Sequence, residues 1–497
     1  MNKNSTSILI KNGTVVSSSS QVKANILIVD GKIKKIGDMN ISEPEWNDIT
    51  EVIDASNLLI FPGGIDAHTH MELPVMGISS SDTFATGTRA ALYGGTTTII
   101  DFANQNRNSS LSHPSSQTEG ESLNHTLDKW FKKAEGNVYT DYGLHLSVTV
   151  INTKTLDELK GIVENRGVSS FKTFMAYPNM RISDDEIATL MREANKLGGL
   201  VTVHAEDGQL IESLIEENIK ERNISPKMHP LNRPTIAETN AISRLIDISN
   251  KEQLPIYVVH LSSADGLNKV RENKGAGPSA DAGVSAKAKI ILETCPQYLV
   301  LDDSKYLHKD PLEINKFVMS PPLRESGISN KNQNELWKGI AEGYIQVVAT
   351  DHCPFTLEQK KLGINNFTMI PNGIPGVEHR LEILFSEGFL KGKITLEQLV
   401  KVWATNPANI FGLYPQKGDI VVGADADLVL FDPSFKHTLS VKNHHMNVDY
   451  SAYEGFEVTG KCKCVILRGK VVIDNNGTLK INQGYGKYLH RNRCLHY

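Results

Sequence analysis

The chain has only five cysteines in 497 residues, an odd number and too few for a disulfide framework. No charge of one sign dominates. Fifty-two Lys and Arg face 57 Asp and Glu, a formal net charge of −5. No basic stretch interleaved with aromatics is present, so nucleic acid is not expected as the partner. No run approaches the roughly 18 apolar residues that cross a bilayer, so no membrane partner is expected either. The first residues, MNKNSTSILIKNGTVV, lack the apolar stretch of a secretory signal. These absences together predict a reduced, cytoplasmic protein. What is present is ordinary globular composition, with 40% hydrophobic and 22% charged residues. At about 150 residues per domain the length allows roughly three domains, or one α/β barrel with additions.

Residues 8–16, 26–36 and 51–60 are short β-rich runs, and Asn-Gly or Asp-Gly pairs among them signal hairpins. The same pattern returns at 419–431 and 463–473. Two all-β pieces at opposite ends of a chain most simply pair into one small β-sandwich, with the middle as an insertion. In that middle, eight buried-strand candidates follow in order: 58–66, 95–101, 143–150, 169–176, 200–206, 255–262, 289–294 and 345–350. Most precede a segment of helical periodicity, such as 184–197 and 236–249. The expected fold class is therefore α/β: a (β/α)8 TIM-like barrel over 58–412, with the sandwich built from 1–57 and 413–480 and a tail at 481–497. The polar stretch 104–120 and the Gly/Ala/Ser-rich stretch 274–288 read as surface insertions.

Barrel enzymes carry their reactive groups at the C-terminal ends of the strands. Here the first strand ends in Asp66-Ala67-His68-Thr69-His70, and the fourth carries Lys172. The fifth ends at His204, the sixth at His260 and the eighth at Asp351. Residues i and i+2 of an extended strand face one side, so His68 and His70 can share one metal. Imidazole nitrogen with carboxylate oxygen suits Zn²⁺ and similar ions. An HxH pair is weak evidence alone, and a single strand-end histidine is usually a hydrogen-bonded core residue; the conjunction on one rim makes the metal reading. An ammonium would be repelled by metal ions, so Lys172 is not expected to stay a cation there. Reaction with carbon dioxide would remove the charge and create a two-oxygen bridge, which implies a binuclear site.

These motifs resemble the dihydropyrimidinase/hydantoinase family of the amidohydrolase superfamily. The resemblance spans nearly the whole chain: PGGIDAHTHMELP, GGTTTIIDFA, SFKTFMAYPNM, VHAEDG, VVHLSS, ETCPQYL, MSPPLR, TDHCPF, IPNGIPGVEHR, TNPANIFGLYPQKG and GADADLVLFDP. It implies that His68, His70, carbamylated Lys172 and Asp351 bind one zinc, and that Lys172, His204 and His260 bind a second. The two Zn²⁺ of each subunit would be bridged by the carbamate and a hydroxide. Tyr177 would aim its hydroxyl at the substrate carbonyl oxygen, and backbone groups near Ser320 and Asn372 would hold the ring amide. Asp351 would move the proton from water to the leaving nitrogen. The implied substrate is a small cyclic ureide: dihydrouracil or dihydrothymine, opened to an N-carbamoyl-β-amino acid in reductive pyrimidine breakdown, or alternatively a 5-substituted hydantoin. A homotetramer, or a dimer, is also implied. The tail after Gly486 is short, however, and tails of this family often cross to a neighbouring subunit.

Two rivals are weighed. Dihydroorotases typically place an Arg two residues after the second histidine, whereas this chain has Glu72, which would repel a substrate carboxylate. Non-catalytic dihydropyrimidinase-related scaffolds have lost metal ligands, whereas all six positions here keep competent residue types. Other features read blandly. Asp66 is expected to support a histidine ring, and Cys353 to line the pocket without acting as nucleophile. Cys462 and Cys464 are expected to share one strand face as packing residues, and His444-His445 to be solvated.

Overall fold

The chain begins in β-rich sequence whose turns fix its pairing. In the computed structural model, residues 7–39, 49–107, 120–273, 290–327 and 330–494 are described. Strands β1 (Ser7–Val16), β2 (Gln21–Val29) and β3 (Lys32–Gly37) form an antiparallel meander. The β2–β3 turn is Asp30-Gly31, with φ of 48° and 80°, and positive φ at both positions is what a two-residue type I′ hairpin requires. Strands β4 (Glu51–Asp54) and β5 (Leu59–Pro62) run parallel to β1. Residues 58–66, expected as one barrel strand, are divided. β5 stays in this terminal sheet, and the barrel starts at Gly64. Gly63 and Gly64 lie at the crossing, where a Cβ would meet the Thr97 side chain at 2.2 Å and the Trp403 ring at 2.1 Å. Only glycine lets the chain pass so close to both.

The barrel follows in chain order. It consists of β6 (Gly64–Thr69), then, after a small hairpin of β7 (Pro74–Val75) and β8 (Ile78–Ser79), β9 (Thr96–Asn104) and β10 (Asp141–Ser147). It continues through β11 (Ser170–Phe174), β12 (Leu200–His204), β13 (Ile256–Val258), β14 (Ile290–Thr294) and β15 (Val347–Val348). The order is β6-β9-β10-β11-β12-β13-β14-β15, every pair parallel. Each of the eight strand candidates contributes one of these strands. The helices between them follow local signals. In Asp184–Lys196, Ser183 and Glu186 form a capping box, and Ile187, Leu190, Met191 and Ala194 bury one face. The expected insertions, 104–120 and 274–288, lie largely outside the described residues.

No extended ladder joins β15 to β6 among the described residues; a single parallel bridge, Thr69 with His352, and the His70 N–H on the His352 carbonyl at 2.8 Å cross the seam at the rim, and side chains close the rest. Buried Arg380 donates to the Ile65 and Val348 carbonyls, both at 2.8 Å, and to Thr96 Oγ1 at 3.2 Å. Its guanidinium lies 4.2 Å from the Trp403 ring centroid. Asp66, expected to support a histidine ring, belongs to the seam instead. It accepts from the Thr350 backbone (3.1 Å) and hydroxyl (2.6 Å), and from the backbone N–H of His68 (3.3 Å). At the start of an inward-facing strand end its short carboxylate reaches backbone, not imidazole.

After the barrel, β16 (Leu428–Thr438), β17 (Glu457–Leu467) and β18 (Lys470–Ile473) return to the first sheet, with β16 pairing antiparallel to β5. The result is one mixed eight-stranded sheet, β18-β17-β16-β5-β1-β2-β3 with β4 on β1. Ile8, Ile26 and Ile33 share a core with Leu428, Leu430 and Ile466, so the two ends close over common apolar contents as a sandwich does. The expected strand 419–431 starts only at Leu428. Upstream, Asp425 and Asp427 leave the ladder to face buried Lys417 at 3.0 and 2.6 Å. Cys462 and Cys464 do not share a face. A bulge between the pairs Leu430–Cys464 and Phe431–Cys462 breaks the period of two. Cys464 packs in the sandwich core, and Cys462 against Val465 and Leu467 on the other side.

The C-terminal tail folds onto its own barrel. Leu489, Arg491 and Cys494 are buried, and their N–H groups bond to the carbonyls of Tyr142, Gly167 and Gly198 at the N-terminal ends of strands. This is the face opposite the ligand-bearing rim. Among the described residues no helix is long and apolar enough to cross a membrane.

Replacing Arg380 by Met should leave two buried carbonyls without donors and cost about 3 kcal/mol of unfolding free energy. Chemical denaturation measures this; a loss below about 1 kcal/mol would remove Arg380 from the closure of the seam.

Candidate metal centre

Strands of a parallel barrel point their C-terminal ends at one rim, and this brings the sequence-predicted residues together. His68 ends β6, and Asp351 follows β15 across the seam. The Nε2 atoms of His68 and His70 lie 3.1 and 3.3 Å from Asp351 Oδ1. One ligand atom from each of these three residues lies within 4.8 Å of the others. Beside them are His204 and His260, with His204 Nδ1 2.9 Å from His260 Nε2. The His68 and His260 rings are 5.5 Å apart, so the two groups are contiguous. Phe102 of β9 lies alongside: its ring is 4.7 Å from His68, 5.0 Å from His70 and 5.1 Å from Lys172 Nζ.

Two acids that the sequence reading left without a role orient the histidines. Glu293 of β14 takes a hydrogen bond from His68 Nδ1 (2.7 Å), another from the Tyr257 hydroxyl (2.7 Å) and a third from the His260 backbone (3.1 Å). Glu206 accepts from His204 Nε2 at 2.7 Å and pairs with Arg233. Each fixes which imidazole nitrogen faces the pocket, as second partners of metal-binding histidines do. The available signal was a carboxylate in a largely apolar strand, IILET, and one two residues beyond a strand-end histidine.

Burial sets the charge states. It would depress His68, but the carboxylates of Asp351 and Glu293 override it and raise His68 to about 9. For His70 burial prevails over Asp351 and lowers it to about 4. His204 and His260 are also depressed, chiefly by burial, and are neutral imidazoles. Burial opposes ionisation of Asp351, yet the charge of His68 and hydrogen bonds from His68 and His70 hold it well below the usual carboxylate range. Lys172 is lowered to about 8 by burial, against the pull of Glu293 and Asp351. Burial thus makes the uncharged amine easier to reach than at an exposed lysine, while the ammonium still predominates at neutral pH. Three neutral imidazoles (His70, His204 and His260), an ionised carboxylate, a His68 charged only because two carboxylates face it, and a buried His260 Nδ1 without a hydrogen-bond partner among the described residues form a donor set that fits a divalent cation in place of the His68 proton.

The expected substrate contacts border this cluster. Tyr177 sits in left-handed backbone at φ 65°, with its ring 5.0 Å from His204 and 5.1 Å from the Arg233 guanidinium. Burial pushes its phenol up, opposed by the Arg233 charge. Asn372 Nδ2 donates to Ser320 Oγ at 3.0 Å, so the two loops carrying these residues meet.

One bland reading changes, that of His444-His445 as solvated. Glu72 accepts from the backbone of Phe84 at 3.2 Å, at the start of the helix Phe84–Tyr93. His445 is half-buried, not solvated. It stacks on Tyr93 at 3.4 Å and its Nδ1 lies 2.7 Å from Glu378. Burial depresses its neighbour His444. Cys353 is sealed under Gly373, and burial pushes its thiol well up, which suits no nucleophile.

Replacing Glu293 by Gln should weaken metal binding about 10- to 100-fold, because His68 loses the acceptor that orients it. Competition against a chromogenic chelator reads this, and unchanged affinity would remove Glu293 from the centre.

The amidohydrolase family profile matches residues 59–472. The chain is 42% identical over 487 residues to a D-hydantoinase of Geobacillus stearothermophilus, covering 97% of this chain and 96% of that one. It is 39% identical over 486 residues to the D-phenylhydantoinase of Escherichia coli K12, covering 97% and 98%. Among solved structures it resembles the dihydropyrimidinase from Brevibacillus agri, with a TM-score of 0.90, 42% identity, and coverage of 99% of this chain and 100% of that one. With its strand-end histidines and aspartate on the rim of such a barrel, the chain belongs to the dihydropyrimidinase/hydantoinase family of metal-dependent cyclic amide hydrolases.

Proposed function

We propose that this cyclic amide hydrolase acts on 5,6-dihydropyrimidines, opening dihydrouracil or dihydrothymine to an N-carbamoyl-β-amino acid. The site would be a zinc pair held by His68, His70, His204, His260, Asp351 and Lys172 as its carbamate. The supporting observation is the convergence of those side chains on one rim beside Tyr177. Bound there, the metal pair supplies Lewis acidity and makes water a nucleophile near neutral pH.

The chain's own groups do the rest. Asp351 is ionised, and its Oδ1 faces both histidines. Its other oxygen, Oδ2, is the site for the proton given up by the attacking water. As the carbonyl carbon gains the water oxygen and the ring C–N bond breaks, Asp351 returns that proton to the departing nitrogen. Tyr177 stays protonated because burial raises it, so it donates to the carbonyl oxygen as negative charge develops. Backbone groups beside Ser320 and Asn372 hold the ring amide. Burial of Lys172 lowers its proton affinity and exposes the free amine that carbon dioxide needs.

A second reading has its own support, since the curated relatives named above are a D-hydantoinase and a D-phenylhydantoinase. A 5-substituted hydantoin presents the same ureide in a five-membered ring.

Protein purified with zinc should hydrolyse dihydrouracil with higher kcat/KM than 5-phenylhydantoin, followed by loss of ring-amide absorbance. The reverse order would replace the dihydropyrimidine reading with the hydantoin one, and metal-free protein without turnover would favour a scaffold. Asp351→Asn should lower kcat about 10³-fold while the fold is kept, and Tyr177→Phe about 10²-fold. Near-normal turnover in either variant would remove that residue from its role.

A further inference from the structure

Lys360 ends the short helix Leu357–Lys360 and is fully buried. Its Nζ donates to three backbone carbonyls: Val318 at 3.0 Å, Pro371 at 2.8 Å and Gly373 at 2.8 Å. An ammonium has three hydrogens and no acceptor, so each of the three contacts takes one of its hydrogens. Burial pushes Lys360 down to about 7. No carboxylate pairs with it among the described residues. Burying a charge this way is costly, and packing alone is met more cheaply by an apolar side chain.

The three carbonyls belong to the two loops that present the proposed ring contacts. Val318 lies two residues before Ser320, and Pro371 and Gly373 flank Asn372. These loops also meet directly through Gly373 N to Val318 O and Asn372 Nδ2 to Ser320 Oγ, each 3.0 Å. The Lys360 carbonyl accepts from Asn315 Nδ2 at 2.9 Å, which anchors the lysine's own backbone to the chain leading into the first loop. Lys360 is therefore the cross-brace of that pair of loops, behind the surface that would touch substrate.

We infer that Lys360 is a positioning residue for substrate recognition, holding the 318–320 and 371–373 backbones at the spacing from which they grip the ureide edge of the ring. This rests on the function proposed above.

The test uses the full-length, zinc-loaded protein and compares wild type with Lys360→Met, which keeps the stem and removes the donors. Metal content and thermal midpoint are recorded beside kcat and KM for the better of dihydrouracil and 5-phenylhydantoin. The expected result is KM raised about tenfold with kcat per metal-loaded subunit within about twofold. Lys360→Gln, which restores two donors, should recover part of the KM and carries the same test if the Met variant does not fold. A merely structural lysine would lower the thermal midpoint and leave KM where it was. Unchanged KM in a folded variant, or a fall in kcat alone, overturns the inference. Wild type without turnover of either ring overturns the proposed function, and the inference with it.

Discussion

The centre depends on closing eight parallel strands at a seam that has no extended ladder among the described residues. His68 and His70 leave one side of that seam and Asp351 leaves the other, so their approach to about 3 Å is only as good as the closure. One backbone bridge, Thr69 with His352, crosses the seam at the rim, and two side chains close the rest. Arg380 supplies donors to carbonyls on both edges, and Asp66 takes the Thr350 backbone and hydroxyl. A hydrogen bond that satisfies an otherwise orphaned buried group contributes far more than an exposed one. The seam is thus firm where a slip of one residue would separate the first strand's histidines from the last strand's aspartate.

On that ring the chemistry is prepared by burial balanced against a few placed charges. The same desolvation that strips the proton from His70, His204 and His260 would neutralise Asp351, were His68 and His70 not beside it. Glu293 and Glu206 sit one step back and decide which imidazole nitrogen looks inward. Tyr177, His260 and Asp351 also hold φ of 65°, 39° and 51°. That conformation is costly for non-glycine residues and persists only where surrounding packing over-determines it. Three such residues in one small site show how much of the barrel's stability is committed to aiming these side chains.

Much of this was legible in the chain. The order of apolar runs and periodic segments carried the eight strands, because buried parallel strands read as near-continuous apolar stretches. The ligand types stood at strand ends, where geometry leaves little freedom. The failures share a cause. The run 58–66 spans two sheets, and local propensity cannot see the Thr97 and Trp403 side chains that force glycine at the crossing. The alternation rule put Cys462 and Cys464 on one face, but a bulge, set by pairing with β16, moved one of them. Asp66 and His445 were misplaced because each is held by a partner distant in sequence: Thr350 and Glu378.

The sequence by itself determined the fold class, the family and the candidate metal-binding side chains. These follow from local periodicity and from residue types at spacings that a strand or helix imposes. Only the tertiary structure decided that Glu293 and Glu206 orient the histidines, that Arg380 and Asp66 close the barrel, that Lys360 ties two loops together and that the tail folds onto its own barrel. Each is a buried polar group whose partner lies on another element. Which partner satisfies it is settled by packing, and no spacing along the chain records that choice.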